Sequence, residues 1–236
     1  MARGAIWKNI SDALRDEIGA GHYGPGDRLP TEAQLSSRFG VNRHTIRHAL
    51  ADLAEAGLIH SRRGAGVFVT ARPTDYPLGR RVRFQQNIAA SGGSASREIT
   101  RMETRVADPR EAEALGLSPG DAVHVVEGVS LADGHPLAVF RSVFPAARLP
   151  ELPSALMKNG SITRALAACG VADYTRKETR ITAKQASAVM ALRLRIAERA
   201  PILRAVSINL DPERRPVEYG TTWFAGDRVT LTVTPE

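Results

Sequence analysis

Residues 39–57 read FGVNRHTIRHALADLAEAG, and the first four of them decide the fold. Phe39 closes the apolar side of one helix, Gly40 can adopt the left-handed conformation that ends it, and after Val41 alone Asn42 is a good N-cap for the next helix. Ile46, Ala49, Leu50 and Leu53 then recur at helical spacing as far as Gly57. Two helices joined by so tight a glycine-containing turn form a helix-turn-helix unit.

The sequence on either side completes that unit. In Pro30-Thr31-Glu32-Ala33-Gln34, Thr31 can cap the preceding helix and Gln34 can close a capping box. Further upstream Ile6, Ile10, Leu14 and Ile18, with Trp7 beside them, predict an amphipathic helix over 5–19 that breaks in the glycine-rich turn Gly19 to Gly26. Downstream, Leu58 to Arg62 and Val67 to Thr70 are β-prone runs around Arg63-Gly64-Ala65-Gly66. A hairpin with a cationic tip placed after the third helix is a wing.

Pro73, Tyr76-Pro77 and Gly79 mark a boundary, which gives a first domain over 1–70, a linker over 71–82 and a second domain over 83–236. In the second domain Asp108-Pro109 starts a helix that Gly116 stops. Val123 to Leu131 and Leu137 to Phe144 are strands around Asp133-Gly134, a strong hairpin signal. Further helices are expected at 149–157, 161–168 and 184–194, and strands at 174–182, 202–210, 217–224 and 228–234. Hairpins with appended helices predict an α+β domain on an antiparallel sheet.

The chain has 236 residues, 43% of them hydrophobic and 24% charged, as in an ordinary globular protein. No apolar run approaches the roughly 18 residues of a membrane span, and the N-terminal stretch does not read as a signal peptide, so a cytoplasmic protein is expected. Cys169 stands alone, which excludes an intramolecular disulfide framework and zinc sites built on cysteine pairs. His124 and His135 sit at no metal-ligand spacing, and no phosphate-cradling glycine loop occurs. Neither catalytic machinery, metal nor cofactor is expected.

The 32 Lys+Arg against 25 Asp+Glu favour an anionic partner, and their distribution suggests which. From Ala33 to Ala51 there is no acidic residue, while Arg38, Arg43 and Arg47 fall there with His44 and His48. With Ile46, Leu50 and Leu53 turned inward, Arg43, His44 and Arg47 face out from the first two turns of the third helix. Those turns meet base edges when such a helix lies in the major groove, where the arginine fork can bond guanine O6 and N7. Thr45, at the helix start, is placed for a phosphate. A merely solvated helix face would carry the same charges; the surrounding helix-turn-helix and wing favour DNA.

Leu29-Pro30-Thr31-Glu32, Phe39 to Arg47, Gly57-Leu58-Ile59 and Arg63 to Val69 together resemble the winged-helix domain of the GntR superfamily of bacterial transcription regulators. The resemblance implies that Arg43 and Arg47 read guanines and that Arg63 and Gly64 enter the minor groove. Ala33 stands where some members have a further DNA-contacting arginine. Residues 76–236 are similar to the UTRA effector-binding domain of the HutC-type branch, whose fold is chorismate-lyase-like, and most of all to its phosphonate-utilisation repressors. Three stretches carry that similarity: Asp75 to Leu78 running into Arg83 to Asn87, Arg176 to Ala183, and Val217-Glu218-Tyr219.

The implied protein is a homodimeric repressor of phosphonate genes. It would bind double-stranded operator DNA with an inverted repeat and be released by a phosphonate or phosphate ester. A sugar phosphate or a carboxylate is the alternative effector, and a lyase-like enzyme is the competing class; an architectural DNA binder would not need so large a second domain. For the effector, Arg83, Arg176 and Arg180 can supply donors without a competing acid. Arginines on antiparallel strands also commonly face water, so the residues alone leave both roles open. The resemblance puts Glu218 in the pocket, on a polar ligand group, with Phe84 and Phe224 as apolar walls. Gln85 stands where the family often has a small hydroxyl residue, and Phe224 where some relatives have tyrosine.

Overall fold

The computed structural model describes residues 4–62, 64–70 and 73–234, in two units, Met1–Arg72 and Pro73–Glu236. In the first unit, helix α1 (Gly4–Gly19) sends Ile10 and Leu14 into a core shared with Leu35 of α2 (Glu32–Phe39) and with Ile46, Ala49, Leu50 and Leu53 of α3 (Arg43–Glu55). The stripe expected from Ile6 begins one residue later, since Ile6 is exposed and Trp7 packs instead. A four-residue step overshoots one helical turn by about 40°, so one end of such a stripe rotates off the core. Strands β1 (Ile59–Arg62) and β2 (Gly66–Val69) pair antiparallel with Ile59 opposite Val69, and both residues are buried. The hairpin is therefore anchored at its base.

Side-chain chemistry sets the helix boundaries. Thr31 and Gln34 form a reciprocal capping box, Gly40 takes φ 65°, and the Thr45 backbone N–H donates to Asn42 Oδ1 at 2.9 Å.

The second unit opens with β3 (Thr74–Pro77) and α4 (Phe84–Ala90). Its main sheet contains β4 (Ala95–Val106), β5 (Ala122–Ala132), β6 (His135–Pro145), β7 (Thr175–Gln185), β8 (Pro201–Leu210) and β9 (Pro216–Ala225), in the order β4-β5-β6-β9-β8-β7 and antiparallel throughout. Four short helices are added: α5 (Pro109–Leu115), α6 (Leu152–Asn159), α7 (Ile162–Ala168) and α8 (Ala188–Leu194). Strand β10 (Val229–Thr232) pairs in parallel with β3.

Two apolar clusters cover one face of the sheet. One joins Phe140 and Phe144 to α6, α7 and Tyr174; the other joins Ala138, Ala205 and Phe224 to Tyr76, Phe84 and Ile88. Helices α5 and α8 cover the opposite face. The gap between the first two clusters becomes the cavity described below.

Three stretches differ from expectation. Residues 74–77, expected in a linker, form β3, whose partner β10 lies at the far end of the chain and leaves no local signature. Strand β4 is too rich in Arg, Glu and Thr to read as a strand; it is a sheet edge whose side chains alternate between half-buried and exposed. The helix expected from 184 begins at Ala188, capped by Ser187, because β7 runs on to Gln185.

On the α5 face, Glu111 is buried, with only 1% of its side chain exposed. It accepts from Arg105 at 2.8 Å through each carboxylate oxygen, from Arg141 at 2.5 Å and from the Asp108 backbone N–H at 2.9 Å. These donors outweigh burial and lower its pKa from 4.5 to about 2. A group whose folded pKa is depressed stabilises above its unfolded pKa and loses that contribution as pH falls through the folded one. Glu111→Gln should therefore cost about 3 kcal/mol near neutrality, as expected for breaking a buried pair. In urea titrations the difference from the unmodified chain should shrink between pH 4.5 and 2.

Gly128 of β5 is fixed by space. A Cβ there would lie 2.2 Å from the Glu98 carbonyl oxygen and 2.8 Å from the Phe140 ring. Gly128→Ala should destabilise the second unit by about 1–3 kcal/mol or more, read as a lower denaturation midpoint.

Candidate DNA-binding face and effector cavity

Helix α3 turns Ile46, Ala49, Leu50 and Leu53 inward, so Arg43, His44 and Arg47 stand exposed on the other side, with Thr45 half-buried between them. The Arg47 side chain is 68% exposed and its Nε donates to Glu32 Oε2 at 2.8 Å. An exposed pair of this kind is weak and is easily exchanged for another anion. The Thr31 hydroxyl donates to Gln34 Oε1 and the Thr45 hydroxyl to Asn42 Oδ1. Their donor protons are committed to the helix caps. At the wing Gly64 takes φ 76°, a conformation that suits glycine; Arg63, also expected there, lies outside the described residues. Arg28, which the sequence reading did not single out, lies against the wing, since a Cβ at Gly66 would fall 2.7 Å from its Nε.

The cavity of the second unit encloses about 70 Å³. Its floor is the sheet: Arg97 from β4, Phe140 and Ser142 from β6, Glu218, Gly220 and Thr222 from β9, Ser207 and Asn209 from β8, and Arg176 from β7. Tyr76, Phe84, Gln85 and Tyr174 wall it. Of the residues expected for the effector, Phe84, Gln85, Arg176 and Glu218 come together here.

Two of the expected residues lie just outside the lining. Arg83 donates to Asp173 Oδ1 at 2.5 Å with its guanidinium 4.8 Å from the centre of the Tyr174 ring. That pair and the neighbouring Arg81 hold the Asp173 carboxyl well below the usual range. Phe224 is one layer back, buried with its ring 5.2 Å from that of Tyr76.

Arg180 does not join the cavity, which corrects the expectation. Residues four apart share a face of a regular strand, but β7 has a bulge between Arg176 and Glu178 that adds a residue and reverses the facing. Arg180 therefore lies on the other side of the sheet, 77% exposed and paired with Glu178.

Arg97 was not anticipated, because its strand was not. Its guanidinium lies 4.8 Å from the Phe140 ring and 5.3 Å from the Phe84 ring, held between two aromatic faces. The Nε atoms of Arg97 and Arg176 are both buried without a hydrogen-bond partner among the described residues. Burial lowers the pKa of Arg176, yet a guanidinium stays charged in proteins. Burial also raises the pKa of Tyr76 and Tyr174, so both phenols remain neutral at physiological pH. At the other end of the floor Glu218 accepts from Ser142 Oγ and from Asn209 Nδ2, each at 2.6 Å. The cavity thus offers cationic donors, neutral hydroxyls and one carboxylate within aromatic walls.

Residues 7–69 match the model of bacterial regulatory proteins of the gntR family, and residues 90–230 match the UTRA domain. An uncharacterized HTH-type transcriptional regulator of Rhizobium meliloti is 38% identical over 97% of this chain and 94% of its own. The probable transcriptional regulator PhnF of Escherichia coli is 34% identical over 96% and 94%. The crystal structure of PhnF from Mycobacterium smegmatis superposes with a TM-score of 0.68 at 26% identity, covering 98% of this chain and 99% of that one. These relatives are transcription regulators and not enzymes, which removes the lyase alternative. With both domains matched in order, the chain belongs to the GntR family of transcription regulators, in the branch that carries a UTRA domain.

Proposed function

We propose that this regulator is a repressor of phosphonate uptake or metabolism genes that binds an inverted-repeat operator as a homodimer. A small phosphorus-containing metabolite, a phosphonate or a phosphate ester, enters the cavity and releases it. The observation that carries the effector half is the pair of buried Nε–H groups on Arg97 and Arg176 that meet no acceptor among the described residues. An unsatisfied buried donor costs about 1–3 kcal/mol, more when charged. A phosphoryl or phosphonyl group carries enough acceptor oxygens to answer both guanidiniums. The two relatives named PhnF favour the phosphonate reading.

The dimer follows from the small reach of one recognition helix, which touches too few base pairs to single out one site in a genome. In this reading Arg43 and Arg47 contact bases, His44 supports them, and Thr31, Thr45 and the wing residues Arg63 and Gly64 meet the backbone and minor groove.

Selection of bound sequences from random duplexes by the full chain should return an inverted repeat, and a lone half-site would overturn the dimer. Phosphonates and phosphate esters should then release that operator. Release by a carboxylate alone would overturn the phosphorus reading. Arg47→Ala should lose about 1–3 kcal/mol on the selected site and almost nothing on random DNA. Equal loss on both would reduce Arg47 to a phosphate contact.

A further inference from the structure

Glu218 is the one acid among the three charged residues that line the cavity, and an anion site gains nothing from it alone. Elsewhere in the second unit a buried carboxylate is clasped by two arginines: Glu111 by Arg105 and Arg141, Asp211 by Arg148 and Arg215. Glu218, also buried, makes no ion pair among the described residues and feels the Arg176 charge only from beyond ion-pair distance. Its partners are neutral, a serine hydroxyl and an asparagine amide. Each oxygen accepts one of them and retains a further lone pair. A buried charge left without a counter-charge is costly.

Access to that charge is open. Gly220 follows on the same face of β9, and a Cβ there would lie 3.2 Å from Ser207 Oγ and 3.7 Å from Glu218 Oε1. The register aligns Arg176, Asn209 and Glu218 across three neighbouring strands. The positive and negative ends of this row are thus two strand spacings, about 10 Å of backbone, apart.

Resting on the reading of this cavity as a phosphorus-anion site, we infer that its effector is a zwitterion: a phosphonate or phosphate group held by Arg97 and Arg176, joined by a short chain to a protonated amine that docks on Glu218. A phosphonate brought in alone would occupy the Arg176 charge and set like charge against Glu218, whereas an ammonium on the same molecule supplies Glu218 with a counter-charge of its own. A ligand hydroxyl would fill a lone pair but leave the charge uncompensated.

The test is calorimetric titration of the full chain with 2-aminoethylphosphonate, 2-hydroxyethylphosphonate and ethylphosphonate, and in parallel with phosphoethanolamine and ethyl phosphate. The amines should bind about tenfold to a hundredfold tighter than their ethyl counterparts, the range of a charge-assisted hydrogen bond, with the hydroxyl compound well below the amine. In Glu218→Gln, which keeps a side chain able to meet Ser142 and Asn209, the advantage of the amine should vanish and ethylphosphonate should bind tighter. Equal affinity of amine and hydroxyl, or of amine and ethyl compounds, in the unmodified chain overturns the ammonium site while leaving the anion site standing. Failure of all five compounds to bind overturns the anion reading itself, and this inference with it.

Discussion

Arg97 and Arg176 each keep a buried N–H without an acceptor, and much of the second unit is arranged so that they stay there. Native proteins leave few buried donors unsatisfied, and those that persist mark a place where something else completes the structure. The Arg97 guanidinium is gripped between Phe140 and Phe84, which belong to the two separate apolar clusters on that face of the sheet. The Phe140 ring can lie where it does because residue 128 has no Cβ. Arg176 is fixed by its backbone, whose N–H donates to the Arg80 carbonyl at 2.7 Å. Packing and backbone bonds thus hold in place two charges that form no ion pair among the described residues, and each keeps a buried donor without an internal partner there.

In the first unit the constraint is of another kind. The helix-turn-helix is held by caps and by an apolar core of ten buried residues, to which the exposed side of α3 adds the stacking of His48 on Trp7. Arg47 on that side pairs across to Glu32 in the first turn of α2. The same turn that aims α3 therefore aims the guanidinium that α3 presents. The Thr31 and Thr45 hydroxyls donate to the cap oxygens of Gln34 and Asn42, so each would have to turn from its cap to donate to a phosphate.

The first unit was almost fully legible in the sequence because each of its boundaries is a local event. Thr31, Gly40, Asn42 and Gly57 each act within a few residues, and helical spacing locates the buried stripe. The second unit was legible where a turn announces itself, as at Asp133-Gly134, and where a cap does, as at Asp108. It was opaque where pairing is remote. Strand β3 needs β10, some 150 residues away in the chain. Strand β4 is an edge whose polarity hides its period, and with it Arg97 was lost. Four of the seven expected effector residues meet in the cavity, and the bulge in β7 accounts for Arg180: a single inserted residue, invisible in composition, moves a side chain to the opposite face. The site depends on register, and register is a property of the assembled sheet.

The path of the chain ties the cavity to what precedes it. Within a few residues of Arg72 the polypeptide has become β3, whose Tyr76 is a cavity wall; by residue 84 it has become α4, whose Phe84 is another. Between them the Arg80 carbonyl accepts from Arg176 on the floor, while Arg81 and Arg83 clasp Asp173, the neighbour of Tyr174. The segment is thus bonded to the floor of the cavity and to Asp173 beside its Tyr174 wall. A ligand alters a remote equilibrium only through differential contacts with a connected element. Residues 74–82, expected to be part of the linker over 71–82, contribute Tyr76 and Val82 to the lining of the cavity.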